Sequence, residues 1–246
     1  MTMNKNPANS ITTSLLFILS ISLPMGLGVL LSVLGMQLWV FLAIGISSLF
    51  VSLTLLGRWG TRQVQTRISS RVATQKEFPR LHNAIDGLCL SHGIEAPNLK
   101  VLDSSAVNIA VTSNGSNNTL SVTTGTLMNL GVVELEALLA QALIRTQESR
   151  ISQETQKSFW ISLPIFRYFL RNKVETEEVL LLDQKSVALT RFPPGLIKAF
   201  EISDRIGTFI EGSASTSHLW LLDPTAQLAT SGHPSASLRC AALSEL

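Results

Sequence analysis

Between residues 6 and 57 there is not one Asp, Glu, Lys, Arg or His. Charged residues make up only 15% of the 246-residue chain, low for a soluble domain. That scarcity excludes a wholly soluble surface. Cysteine is scarce too. Cys89 and Cys240 stand at no metal-binding spacing and read as plain, reduced residues. The four histidines are His82, His92, His218 and His233, and no two lie three or four apart. This excludes a pair of histidine ligands on successive turns of one helix. The formal charge of +2, without a basic cluster interleaved with aromatics, excludes nucleic acid as a partner. No nucleophile-elbow pattern supports a serine hydrolase.

The charge-free region is filled by two apolar runs, Ile11 to Leu34 and Leu38 to Leu56. Each approaches or exceeds the roughly 20 residues that span a bilayer core as helix. Gly35-Met36-Gln37 leaves room only for a tight hairpin. A secretory signal fits poorly, because the apolar region is doubled and only Lys5 precedes it. Pro24, Gly26 and Gly28 sit mid-span, where they bend a helix or admit its partner closely. Arg58, Arg62, Arg67, Arg71 and Lys76 then follow before any acidic residue. The positive-inside rule places that flank, both termini and the main domain in the cytoplasm. The expected division is a transmembrane helical hairpin at 1–57, a basic juxtamembrane linker at 58–77 and a domain at 78–246, in the plasma (inner) membrane. The lipid bilayer is the first expected partner.

The domain reads as α+β and mainly helical. Pro79 suits a first helical position, Leu81, Ile85 and Leu88 form a stripe, and Gly93 is a natural C-cap. Leu99–Leu102, Asn108–Thr112 and Thr119–Thr123 read as short strands, the last two joined into a hairpin by a polar turn. Leu135, Leu138, Leu139, Ala142 and Leu143 mark an amphipathic helix over 134–148, with Gly131 as N-cap and Glu134 near the positive end of its dipole. A further amphipathic helix is expected over 196–209. Residues 157–172 are apolar but broken by Pro164 and Arg167, so they lie on the membrane surface or pack on the domain.

Several stretches, in order, carry a family resemblance: Pro97-Asn-Leu-Lys-Val-Leu-Asp-Ser104, Asn108-Ile-Ala-Val-Thr112, Leu120-Ser-Val-Thr-Thr-Gly-Thr-Leu127 and Glu134-Leu-Glu-Ala-Leu-Leu-Ala140. Asp183-Gln-Lys-Ser-Val-Ala-Leu-Thr-Arg-Phe-Pro-Pro-Gly-Leu196, His218-Leu-Trp-Leu-Leu-Asp-Pro224 and Gly232-His-Pro-Ser-Ala-Ser-Leu-Arg239 follow. This pattern resembles the HtpX-like membrane zinc metallopeptidases. The resemblance implies a zincin-like domain with a small β-sheet, and a His-Glu-x-x-His helix that binds zinc and activates water.

The chain departs from that pattern where the chemistry would lie. Gln141, Ala142 and Arg145 stand at the His, Glu and His positions, and Val179 stands where the family carries its third, glutamate ligand. Only Asp183, the aspartate that follows in that motif, remains. The resemblance therefore implies no catalytic residue, no metal ligand and no cofactor, the zinc site being lost. Asn108, Ala110, Thr112, His233 and Arg239 are its candidate cleft residues. The function that follows is a non-catalytic binding or scaffold subunit of a membrane protein complex, with a protein partner in the membrane. The competing reading is a membrane metalloendopeptidase with unrecognised zinc ligands. Two geometric expectations complete the picture. A Gln141–Asp183–Arg145 polar cluster should close the vacant site, with Glu178 or Glu148 as the other acid for Arg145. The free edge of the Asn108–Thr123 hairpin should offer a docking edge for an added peptide strand.

Overall fold

The computed structural model describes residues 38–69, 71–163, 174–225 and 232–245, with Ser22, Gly26, Val29 and Leu30. The first expected membrane run and the hairpin turn after it fall almost wholly outside these residues. The chain forms two compact units, Met1–Gly60 and Thr61–Leu246. Helix α1, Leu38–Ile68, runs through the boundary, so Arg58, Arg62 and Arg67 of the expected linker are helical. Among the described residues no helix is long and apolar enough to cross a membrane.

The second unit is mainly helical with one four-stranded sheet. Strand β1 is Arg71–Val72, followed by helix α2 (Pro79–His92), β2 (Asn98–Leu102), β3 (Ile109–Ser113) and β4 (Asn118–Thr123). The sheet order is β1-β2-β4-β3. β2 runs parallel to β4, with Leu99 opposite Leu120 and Val101 opposite Val122, and the other pairs are antiparallel. The expected β3–β4 hairpin is present, its turn closed by Asn114 Oδ1, which accepts from Ser116 N and Asn117 N at 3.0 and 2.8 Å. Gly93 ends α2 at φ 64°, a left-handed conformation that costs glycine no Cβ clash.

Short helix α3 (Thr124–Asn129) leads into α4 (Val132–Thr146), then α5 (Ile151–Ile161). At Gly125, in α3, a Cβ would lie 2.1 Å from Ser105 O, so only glycine admits the 103–107 loop this closely. Gly131 caps α4 as expected, and Glu134 sits in its first turn. Backbone N–H groups at that end, with Lys198, hold the Glu134 carboxyl below its ordinary range. Leu135, Leu138, Leu139 and Leu143 are each 1% exposed or less. Burial of such side chains, worth about 1.5–3 kcal/mol each, makes α4 the helix around which β3, α2 and the helices at Thr176–Thr190 and Pro193–Ile206 pack.

Helix α5 packs on β3, and Phe159 and Ile161 are buried. The described part of 157–172 is therefore packed on the domain, and 164–173 lie outside the described residues. Among the described residues, helices α6 (Thr176–Thr190), α7 (Pro193–Ile206) and α8 (Ala236–Ser244) follow, with 3-10 turns at Ser213–Ser215 and Ser217–Leu219 before α8. Helix α7 starts three residues earlier than its apolar stripe suggests. Pro193 and Pro194 occupy its first turn, where no backbone N–H is required, and Gly207 at φ 103° ends it.

Candidate functional site

Helix α4 lies against α6, and α8 closes on both α6 and α7. Three polar side chains meet there in the dry interior. Gln141 on α4 is fully buried, and Asp183 on α6 and Arg239 on α8 are each 1% exposed. The Gln141 amide donates through Nε2 to Asp183 Oδ1. Arg239 grips the same carboxylate with two prongs, Nε to Oδ2 at 2.8 Å and Nη2 to Oδ1 at 2.7 Å. Its remaining edge donates through Nη1 to Leu221 O at 2.9 Å. The guanidinium lies over the Phe200 ring, 3.9 Å from the centroid. Burial pushes the Asp183 carboxyl up, and Arg239 opposes that rise. Gln141 Oε1 has no donor among the described residues, because the amide must turn its NH2 to the carboxylate.

This geometry corrects the expected cluster. Gln141 does meet Asp183, but Arg145 does not. Arg239 fills the place assigned to Arg145, because a planar fork from α8 reaches both carboxylate oxygens while resting on an aromatic face. Arg145, one turn further along α4, is turned to the C-terminal segment. It donates through Nη1 to Trp220 O at 3.1 Å and through Nη2 to His218 O. Its acid is neither Glu178 nor Glu148 but Glu154 of α5, at 3.5 Å. Glu178 pairs instead with Arg150 at 2.9 Å on the surface. A sequence signal for Arg239 existed: it is the one Lys or Arg after Arg205. A lone cation on a short, largely apolar helix calls for a buried acid. Ala142 is fully buried, and Val179 lies half-buried on α6, one turn before Asp183.

The docking edge is also corrected. A 3-10 turn at Ser217–Leu219 followed by extended residues from Trp220 makes a strap, residues 217–222, beside the outer side of β3. Trp220 bridges Ala110 in antiparallel fashion, and Leu221 N donates to Ile109 O at 2.9 Å. Asn108 locks the strap, its Nδ2 donating to Leu222 O at 2.9 Å and its Oδ1 accepting from Leu222 N at 3.2 Å. Ser113 N is taken by Thr155 Oγ1 at 3.0 Å. Asn108, Ala110 and Thr112 are fully buried. At Ile109 and Ala110 the edge is therefore already covered by the chain itself, which leaves no free strand edge there for a peptide.

Two buried histidines brace the strap. His218 Nε2 lies 3.0 Å from Glu154 O and 3.2 Å from Ser158 Oγ. His233, 7% exposed, has Nε2 3.0 Å from Ser217 O. Burial lowers both from the ordinary 6.5 to about 4. Cys89 and Cys240 are free thiols, as expected. Among the described residues no group of three or more His, Cys, Asp or Glu is placed to hold a metal ion.

The chain is 22% identical over 200 residues to the protein named Protease HtpX homolog of Dictyoglomus turgidum, covering 65% of this chain and 66% of the relative. It is 24% identical over 193 residues to the Protease HtpX homolog of Dictyoglomus thermophilum, covering 63% and 64%. Protease HtpX homolog 2 of Methanosarcina acetivorans is 28% identical over 115 residues, covering 46% and 39%. The chain is thus distantly similar to several proteins named as HtpX protease homologs. It spans just under two thirds of the length of the two Dictyoglomus relatives. No family model matches it, and no solved structure matches it.

Two outcomes follow from the site. Asp183→Ala and Arg239→Ala should each lower the unfolding free energy by about 3–5 kcal/mol, since each leaves a buried charge alone. The double variant should lose far less than the sum. Denaturant unfolding of the full chain in detergent measures this cycle, and additive losses would remove the coupling. The histidines set a pH dependence. Between 6.5 and about 4 the unfolded chain takes up protons that folded His218 and His233 refuse. Stability is therefore whole above the ordinary histidine value and falls as pH drops through this window, by at most about 3.4 kcal/mol per histidine. His218→Asn should flatten the slope, and an unchanged slope would exonerate His218.

Proposed function

We propose that this protein is a membrane-anchored, non-catalytic relative of the HtpX-like zinc metallopeptidases that serves a membrane complex as a binding or scaffold subunit. One observation carries the loss of chemistry. The Gln141 amide, at a position where the resembled family has a ligand, is spent on Asp183, whose carboxylate is gripped on both oxygens by Arg239. Zinc needs three neutral or anionic donors and a positioned base. Gln141, Ala142, Arg145 and Val179 do not fit that need. An amide is a poor zinc donor, a methyl and an isopropyl donate nothing, and a guanidinium repels a dication. The polar positions are tied into the fold as protein, so the domain stands without the metal. The interior supports a zincin-like scaffold emptied of its chemistry.

The membrane assignment rests on the charge-free residues 6–57 and on α1, where Ile46, Phe50 and Leu55 are each 60% exposed or more. Lipid is the natural cover for such side chains. The proposed arrangement keeps the hairpin at 1–57, both termini and the domain in the cytoplasm, and the bilayer and a resident membrane protein as partners.

Metal analysis of the purified full chain should find far less than one zinc per molecule, and casein should remain uncut. Stoichiometric zinc with cleavage would replace this reading with that of a metalloendopeptidase using other ligands. Alkaline carbonate should leave the chain in the membrane pellet, and release into the supernatant would remove the anchor.

A further inference from the structure

The turn that joins β3 to β4 holds Asn114-Gly115, the one Asn-Gly pair in the sequence. Residues 114–117 are all exposed. In such a pair two groups can react with each other, the side-chain carboxamide and the next backbone nitrogen. The turn holds both. Asn114 Oδ1 accepts from Ser116 N at 3.0 Å and from Asn117 N at 2.8 Å, so the carboxamide is folded back over the Gly115 peptide. Gly115 N donates to Ser113 Oγ at 3.1 Å. Gly115 takes φ 91°, and it has no side chain to shield its nitrogen. Asn114 Nδ2 has no hydrogen-bond acceptor among the described residues.

Other asparagines of this unit are placed differently. Asn108 is fully buried, with Nδ2 on Leu222 O. Asn118 Nδ2 donates to Thr146 O at 3.1 Å, and Asn129 Nδ2 to Gly125 O at 2.8 Å. Each is followed by a residue whose side chain crowds the next nitrogen: Ile109, Thr119 and Leu130. At Asn114 every contact instead favours attack on Cγ. Two N–H donors aimed at Oδ1 stabilise the negative charge that develops there. The Ser113 hydroxyl sits where the Gly115 proton departs. The amide nitrogen that must leave is tied to nothing and lies at an exposed turn, where water is at hand.

We propose that Asn114 is a self-modification site, converted in the folded chain to aspartate and isoaspartate through a cyclic imide with Gly115. Gly115 N bonds to Asn114 Cγ and gives up its proton through Ser113 Oγ to water. The Cγ–Nδ2 bond breaks, and Nδ2 takes up a proton and leaves as ammonia. One water then opens the five-membered ring. Attack at Cγ gives aspartate, and attack at the Asn114 backbone carbonyl gives isoaspartate, with one extra carbon in the main chain. Nothing is oxidised or reduced. Either product puts a carboxylate where a neutral amide stood and adds a negative charge to the tip of the β3–β4 hairpin. This chemistry is independent of the binding role and the membrane anchor proposed above.

The test holds the purified full chain in detergent at mildly alkaline pH in 18O-labelled water and reads each asparagine by tandem mass spectrometry. Asn114 should lose ammonia and gain one labelled oxygen, giving both aspartate and isoaspartate, while Asn118 and Asn129 stay intact. The folded chain should convert at least as fast as the same chain unfolded in urea, because the turn already holds the reacting groups together. Ser113→Ala should slow conversion about fivefold in the folded chain, the worth of one hydrogen bond in a barrier, and leave the rate in urea unchanged. An Asn114 that stays intact when folded while the unfolded chain converts overturns the proposal. So does conversion without the label, and so does Asn118 or Asn129 converting as fast as Asn114. An unchanged rate in Ser113→Ala at unchanged melting temperature overturns it as well. If that variant does not fold, the folded and urea rates of the unaltered chain decide.

Discussion

One buried ion pair organises the interior of the second unit. Asp183 on α6 and Arg239 on α8 face each other in a region where water does not reach. A charge left alone there is costly, so neither residue can leave without the other. The pair also recruits Gln141 from α4 and the Leu221 carbonyl from the strap. Three helices and one extended segment thus share a single registration point. The guanidinium suits this task because its donors lie in one plane at fixed angles. It meets two carboxylate oxygens and a carbonyl, and rests its face on Phe200. A metal ion gathers donors around a point and leaves when they protonate. Here the positive charge is part of the chain and cannot dissociate. A buried pair contributes less net stability than its geometry suggests, because desolvation offsets attraction. Its consequence is specificity: few other packings of these helices satisfy all of these groups.

Around this point the C-terminal segment is held from two sides. Arg239 takes Leu221 O, while Arg145 takes His218 O and Trp220 O. Asn108 closes the far end on Leu222. The strap satisfies β3 groups that would otherwise be an exposed edge, and a bare edge invites pairing with other chains. The two arginines therefore do different work from neighbouring positions. Arg239 orders the helices, and Arg145 turns the strap into part of the sheet. The buried histidines suit this packing because they stay neutral at physiological pH, adding no third charge beside two arginines.

Much of this was legible in the residues themselves. Local rules reach a few positions along the chain, and they held at several element ends, though they placed the start of α7 three residues late. Gly131 with Glu134 marks the start of α4, Pro79 and Gly93 bound α2, and the Asn-rich turn between Asn108 and Thr123 makes a hairpin. The leucine stripe of α4 names its buried face, because helical period and core contact are the same fact.

Tertiary structure alone decided which partner each buried charge took. Asp183 had Arg145 and Arg239 open to it, 38 and 56 positions away in sequence. Sequence spacing cannot rank such choices, since the outcome depends on how helices cross and which side chain arrives planar to the carboxylate. The same holds for the β3 edge. Its strand character is local, but its occupancy depends on residues 217–222 returning from more than 100 positions downstream. What each residue needs was fixed by its chemistry. Which residue supplies it was settled only by packing, because every buried donor and acceptor draws on the same few neighbours.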